Sequence, residues 1–234
     1  MGGRAVTLVF LRHGEAVGNA EGRYLGHLDV PLTERGRRQA EEAGRALAAV
    51  PVAAVYASDL ARATETARRV VALRKDAPPL RVTAALRELA FGAWEGKTYA
   101  EVAASDPAHL ARWYADPLAV APPGGERLVD LLARLGLFLA YVQHRHAGQT
   151  VLVVTHGGCL RALRAFWGRP QPMASGVPEA FWAAGVAPGA WTVWPIGMRE
   201  GSAYGAGQNA HGARDGVGRG EKRPRDGAVP PVCP

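Results

Sequence analysis

The sequence predicts an α/β protein, a three-layer α/β/α sandwich around a mostly parallel central sheet. Two observations carry this expectation. Ala5 to Leu11 and Val151 to Val154 are apolar almost without a break. They lack the alternation of a half-exposed strand, which is the pattern of parallel strands buried on both faces. Around them, runs with helical apolar spacing alternate with short strand-like runs, and that alternation places helices on both faces of a sheet.

Ala5 to Leu11 is the first expected strand. Arg4 precedes it, charged Arg12 ends it and no small-residue cleavage pattern follows, so it reads as a strand rather than a secretory signal. Thr33 is placed to cap the next segment, in which Ala40, Ala43, Gly44, Leu47 and Ala48 recur at helical spacing until Pro51. Val52 to Ala57 reads as a second strand. Leu60 to Leu73 reads as a second helix with Ala63, Ala67, Val70 and Val71 on one face, and Leu80 to Thr83 as a short strand. Thr98 to Pro123 is less regular and holds Tyr99, Trp113 and Tyr114 between Pro107, Pro117, Pro122 and Pro123. Gly125 to about Arg145 reads as a long helix with Leu128, Leu131, Leu132, Leu135 and Leu139 as its stripe. His144 and His146 lie at its end, where the helix dipole favours positive charge, a more ordinary reason for them than a metal pair. After Val151 to Val154 a helix runs from about Gly158 to Trp167, closed by Gly168, and Ala190 to Trp194 is the last expected strand.

The chain has 234 residues, 48% of them hydrophobic, enough for one α/β domain plus a tail. After Met198, Gly, Ala and charge dominate and Tyr204 is the only aromatic. Such a segment buries too little apolar surface to offset the entropy of ordering. The expected organisation is therefore a catalytic domain over 1–198 and a disordered, Gly-rich basic tail over 199–234. The formal net charge is +7 and the pI near 9.9. Lys and Arg are spread along the chain, with no RNP, zinc-finger or basic-zipper pattern, so no nucleic-acid partner is expected. No apolar run approaches the roughly 20 residues of a membrane helix, so no membrane partner is expected either. Cys159 and Cys233 make no disulfide framework, which points to a reducing cytoplasm. No CxxC or HExxH occurs, so neither a metal nor another cofactor is implied. A homodimer is compatible with these properties.

Three expected strands run into polar, reactive residues. The first leads to Arg12, His13, Gly14 and Glu15; the second to Ser58, Asp59 and then Arg62; the third to Thr155, His156, Gly157 and Gly158. In open α/β sheets ligands sit at the carboxyl ends of the strands. If these strands are parallel, His13, Arg62 and His156 meet on one edge. Arg62 falls in the first turn of its helix, where the dipole disfavours a cation. It either reaches out to water or points into an anion site. Two histidines and two arginines together suit phosphate, since guanidinium forks match phosphate oxygens and a neutral imidazole is a covalent nucleophile.

At this point the residues resemble a known family. Leu11-Arg12-His13-Gly14-Glu15 with Asn19 is similar to the signature of the histidine phosphatase superfamily, which includes the cofactor-dependent phosphoglycerate mutases. The likeness continues through Gly26, Asp29, Pro31-Leu32-Thr33, Gly36 and Gln39-Ala40, then Ser58-Asp59-Leu60-Ala61-Arg62-Ala63 with Thr66-Ala67. Arg87-Glu88-Leu89, Phe91-Gly92-Ala93-Trp94-Glu95-Gly96, Pro123-Gly124-Gly125-Glu126 and Thr155-His156-Gly157-Gly158 complete the order, covering about Val6 to Trp194.

The resemblance implies a phosphoglycerate mutase-like fold and a role for each matched position. His13 would become phosphorylated on Nε2. Arg12, Arg62 and His156 would hold the phosphoryl oxygens. Glu88 would protonate the leaving oxygen and then deprotonate the attacking water. Asn19, Gly26 and Gly157 would line the substrate. The substrate would be a small phosphate monoester, and no metal would be needed because cationic side chains supply the charge. A mutase would need extra cations above the site, yet between Thr98 and Gly125 the only Lys or Arg is Arg112, against Glu101, Asp106 and Asp116. That stretch looks aromatic instead, as suits an organic leaving group. The Phe91 to Thr98 and Pro122 to Glu126 stretches resemble the α-ribazole phosphatase and broad-specificity phosphatase branch. Hydrolysis of α-ribazole 5′-phosphate or a similar ester is thus the expected activity, with phosphoglycerate mutase as the alternative. A non-catalytic phospho-ligand-binding or regulatory module is the reading of another class; such a module would usually lack His13 or Glu88, and both are present.

Overall fold

The computed structural model describes residues 5–166 and 187–196. In chain order it contains β1 (Val6–Arg12), α1 (Glu34–Leu47), β2 (Ala54–Ser58), α2 (Ala61–Ala72), β3 (Leu80–Thr83), α3 (Tyr99–Ser105), α4 (Pro107–Ala115), α5 (Leu128–Arg145), β4 (Thr150–Thr155), α6 (Gly157–Phe166) and β5 (Trp191–Ile196). The sheet order is β3-β2-β4-β1-β5. The first four strands are parallel, and β5 closes the edge antiparallel to β1. The expected helix closure at Gly168 and the tail over 199–234 lie outside the described residues.

The uninterrupted apolar runs are the central strands, and their side chains divide by parity, as a strand's period of two requires. Val9, Leu11, Leu152 and Val154 pack with Ala43 and Leu47 of α1 and Ala63, Ala67 and Val70 of α2. Leu8, Phe10, Val151 and Val153 face the other way, toward Leu131, Leu135 and Leu139 of α5 and Leu160 and Leu163 of α6. Helices therefore cover both faces, and the three-layer α/β/α architecture is the observed one. On α5 the stripe also includes Phe138 and Val142, while Leu132 is only partly buried.

Three details differ from the sequence reading. Thr98 to Pro123 contains α3 and α4, of 7 and 9 residues, in which the 3.6-residue apolar repeat recurs too few times to stand out. Their start signals are nonetheless local: a Thr98–Glu101 capping box opens α3 and Pro107 opens α4. The long helix begins at Leu128 rather than Gly125. Gly124 has a positive φ, Gly125 packs where a Cβ would meet the Ala90 carbonyl oxygen at 2.5 Å, and Glu126 N–H donates to Ala90 O at 2.8 Å, so this turn is tied to the 90–91 segment instead of to the helix. The aromatics of the 98–123 stretch do not form an open platform. Trp113 is buried and packs edge-on against Phe91 and Trp94, so most of that aromatic surface belongs to the core.

The loop leaving β1 lies directly on the start of α1. Thr33 caps that helix by accepting from Gly36 N–H at 3.0 Å, as its position predicts. A Cβ on Gly36 would overlap the Glu15 carbonyl oxygen, whereas one on Gly136, in α5, meets nothing within 4 Å. Two glycine-to-alanine changes should therefore have opposite signs. Gly36→Ala should destabilise by about 1–3 kcal/mol through overpacking, and Gly136→Ala should stabilise by about 0.5–1 kcal/mol by restricting the unfolded chain. Urea unfolding of both variants checks this; equal effects would contradict the close approach at Gly36.

Candidate active site

Parallel pairing of β1, β2 and β4 brings their carboxyl ends to one edge, and the chemistry-bearing residues follow those ends. The frame is continuous there, since His13 N–H donates to Thr155 O at 3.0 Å. The rings of His13 and His156 lie 5.0 Å apart between centroids, inclined at 63°. Both are buried, as are Arg12 and Arg62.

His13 has a defined tautomer. Its Nδ1 lies 2.6 Å from Gly14 O, an obligate acceptor, so Nδ1 carries the proton and Nε2 the lone pair. The Gly14 loop is pinned in turn: its N–H donates to Thr66 Oγ1 at 3.1 Å, and that hydroxyl donates to Arg62 O at 2.7 Å.

Arg62 does not reach for water; it is 1% exposed. Its Nη1 donates to Leu28 O at 2.8 Å and its Nη2 to Gly26 O at 2.7 Å, while Nε is buried with no partner. Gly26 can turn its carbonyl there because it has a φ of 47°, and a Cβ on it would overlap the Glu95 carboxylate. Gly26 thus holds Arg62 from behind. Gly157 is a smooth wall for the other guanidinium, since a Cβ there would lie 3.2 Å from Arg12 Cζ. Both ring nitrogens of His156 are buried without a partner. Asn19 uses its Oδ1 to accept Ala16 N–H at 2.8 Å, which leaves only its Nδ2 to offer a ligand. Ser58 and Asp59, the other polar residues at the end of β2, have local duties. Ser58 Oγ accepts from Leu60 N–H at 3.3 Å, and Asp59 makes a bidentate pair with Arg87 at 2.8 and 2.7 Å. That pair holds the Asp59 carboxyl below its ordinary range.

Glu88 enters from the segment after β3. Its Oε2 accepts Gly158 N–H at 2.8 Å, in the first turn of α6, and its Oε1 accepts Leu89 N–H at 3.0 Å. A Cβ on Gly158 would overlap this carboxylate, so glycine is what lets Glu88 lie across the helix start. His13, Arg12, Arg62, His156 and Glu88 therefore share one site.

Burial dominates the electrostatics. It pushes both His13 and His156 well below the usual histidine value, and the neighbouring cations, Arg62 foremost, push in the same direction. Burial also lowers Arg12 to about 10, opposed by Glu88, so that guanidinium stays charged at neutral pH. The site thus presents two neutral imidazoles among cations, with a lone-pair nitrogen beside unpartnered donors. Among the described residues no group of three or more His, Cys, Asp or Glu side chains could hold a metal ion, and no helix is long and apolar enough to cross a membrane.

Arg134 and Cys159 were missed by the sequence reading. Arg134 lies three residues after Leu131 and four before Phe138, on the buried side of α5, and an arginine inside an apolar stripe was the available signal. Cys159 donates through Sγ to Arg87 O at 3.0 Å, behind Glu88. His146, which follows the last residue of α5, is held by hydrogen bonds: its Nε2 meets Tyr56 Oη and its Nδ1 meets Gln149 Oε1, both at 2.9 Å.

Two depressed imidazoles make stability depend on pH. The unfolded chain binds their protons near the ordinary value of 6.5, and the folded chain only well below it. Their stabilising contribution is present above 6.5 and is lost as pH falls through that value toward the folded ones. Urea unfolding between about pH 7.5 and 5.5 should show stability falling by up to about 1.4 kcal/mol per pH unit for each imidazole. His156→Gln should flatten that slope; an unchanged slope would mean that His156 is not held neutral.

The sequence profile of the histidine phosphatase superfamily (branch 1) matches residues 8–192. The chain is 39% identical over 160 residues to 2,3-bisphosphoglycerate-dependent phosphoglycerate mutase 2 of Gloeobacter violaceus, covering 67% of this chain and 73% of that protein. It is 33% identical over 195 residues to the adenosylcobalamin/alpha-ribazole phosphatase of Escherichia coli, covering 83% and 92%. Among solved structures, a mycobacterial glucosyl-3-phosphoglycerate phosphatase in complex with VO3 superposes with a TM-score of 0.70 at 33% identity, over 80% of this chain and 90% of that one. Profile, relatives and fold agree with the site at the sheet edge: the chain belongs to the histidine phosphatase superfamily.

Proposed function

We propose that the chain hydrolyses small phosphate monoesters through a phosphohistidine at His13. One observation carries the reading. Buried donors without partners, the ring of His156 and Arg62 Nε, stand beside a neutral imidazole whose Nε2 keeps its lone pair. Unmade buried hydrogen bonds cost about 1–3 kcal/mol each, and a bound phosphoryl group supplies the missing acceptors.

His13 Nε2 attacks phosphorus and the ester P–O bond breaks. Arg12, Arg62 and His156 hold the phosphoryl oxygens and stabilise the charge of the transition state. The Glu88 carboxyl gives its proton to the departing alkoxide. Water then enters, Glu88 takes its proton, the oxygen attacks phosphorus and the P–N bond breaks, restoring neutral His13 and releasing phosphate. Asn19 Nδ2 contributes a donor at the rim, while Gly26 and Gly157 act through the arginines they seat. The guanidinium groups supply the charge that a divalent metal supplies in other phosphoryl-transfer sites.

The relative from Escherichia coli makes α-ribazole 5′-phosphate the first ester to try. Phosphoglycerate mutase is the second reading, supported by the name of the Gloeobacter relative. Against it stands the single cation, Arg112, between Thr98 and Gly125, which lies exposed beside His109. The profile match ending at residue 192 supports a catalytic unit over 1–198 with the 199–234 tail outside it. The buried, unbridged Cys159 fits a reducing cytoplasm.

Phosphate release from a panel of monoesters in EDTA tests the reaction. Activity should persist in the chelator; loss restored by a divalent metal, or interconversion of phosphoglycerates without phosphate release, would overturn the reading. Glu88→Gln should slow esters of poor alkyl leaving groups by about 100-fold or more. With p-nitrophenyl phosphate it should slow phosphoenzyme formation less and produce a burst of phenolate. Equal slowing of both substrates with no burst would remove Glu88 as the proton donor.

A further inference from the structure

Residues 87–91, which carry Glu88, belong to no helix or strand. Backbone carbonyls in such a partly buried stretch have no ladder to pair with and need other donors. Here the donors come largely from one side chain. Arg134 Nη1 donates to Ala85 O at 3.0 Å and Arg87 O at 2.6 Å, and Nη2 donates to Glu88 O at 2.8 Å. The remaining N–H groups, on Nε and Nη2, form a bidentate pair with Glu126 at 2.8 and 2.9 Å. All five guanidinium donors are thereby used.

Glu126 completes the arrangement from the other side, because its backbone N–H donates to Ala90 O. His27 Nε2 adds a contact to Glu88 O at 2.9 Å, and Thr155 Oγ1 holds Leu86 O at 2.9 Å. The Arg134–Glu126 pair is largely buried, with side chains 20% and 16% exposed, and it touches the backbone of Glu88 rather than its carboxyl.

We infer that the Arg134–Glu126 pair is a positioning clamp that fixes the Glu88 backbone, and through it the carboxyl that moves the proton. The clamp rests on the acid–base role proposed for Glu88. Its geometry needs arginine, because a planar fork reaches three carbonyls and one carboxylate at once and an ammonium on a flexible stem cannot. Displacing the segment tilts the carboxyl away from the leaving oxygen while the phosphoryl-binding residues, on other elements, stay in place.

Arg134→Lys keeps the charge and removes the fork, which makes it the test. With a poor alkyl phosphate its kcat should fall about 10- to 100-fold, the scale of a small misplacement of a catalytic group, with KM little changed. Phosphoenzyme formation from p-nitrophenyl phosphate should fall less. In a Glu88→Gln background the same substitution should change alkyl turnover by less than about 2-fold, since a group acting only through Glu88 is fully coupled to it. Equal losses for both leaving groups, or the full loss repeated on top of Glu88→Gln, would overturn the clamp. If Arg134→Lys does not fold, Glu126→Gln, which is neutral and of the same shape, takes its place in the cycle with the same expected coupling. A Glu88→Gln variant that itself shows no dependence on leaving group would overturn the acid–base role, and the clamp with it.

Discussion

Burying a guanidinium costs several kcal/mol unless its donors find acceptors, and this protein buries Arg62 with two carbonyls as acceptors and no partner at Nε. Much of the site follows from that constraint. The turn at Gly26 exists in a left-handed conformation to present its carbonyl to Nη2, and Glu95 occupies the space a side chain would have taken. Thr66, one turn along α2, accepts the Gly14 N–H and so ties the loop of His13 to the helix that carries Arg62. A site with every donor satisfied would be more stable and chemically idle. The unmet donors, Arg62 Nε and the one N–H of the neutral His156 ring, are what a tetrahedral dianion can complete.

Burial, reinforced by the cationic surroundings, also decides the state of the nucleophile. A histidine in water near neutral pH is partly protonated and then cannot attack phosphorus. Here burial, reinforced by Arg62 and Arg12, keeps His13 neutral, and the Gly14 carbonyl selects the tautomer with the lone pair on Nε2. The same cations that would receive the phosphoryl oxygens therefore prepare the group that attacks. The scaffold supplies registration: β1 and β4 pair from Thr7↔Thr150 to Arg12↔Thr155, so His13 and His156 leave adjacent parallel strands at the same level.

Much of this was legible in the residues themselves. Apolar runs without alternation located β1 and β4, and the polar residues at their ends located the site, because a parallel sheet turns strand ends into neighbours. The choice between the two readings of Arg62 could not be made from sequence. Its outcome depends on carbonyls at Gly26 and Leu28, which lie more than thirty residues away and are positioned by a turn. The helices α3 and α4 escaped because seven and nine residues are too few for a stripe to declare its period. The aromatic stretch misled for a related reason: composition shows that Trp113 is apolar, while only packing shows that it faces Phe91 and Trp94. Arg134 was hidden by its charge, since an arginine on a helix is ordinarily read as solvated surface. Its burial becomes intelligible only once the irregular segment around Glu88 is seen to need donors.

The covalent intermediate is the centre of the account, and it can be observed directly. Rapid acid-free quenching of the protein during turnover of a phosphate monoester, followed by peptide mapping, should place a single phosphoryl group on the peptide containing His13. That group should be stable in alkali, labile in acid, and formed and lost at rates compatible with turnover. Turnover with no phosphorylated peptide, or a phosphoryl group on a residue other than His13, would contradict the mechanism at its root.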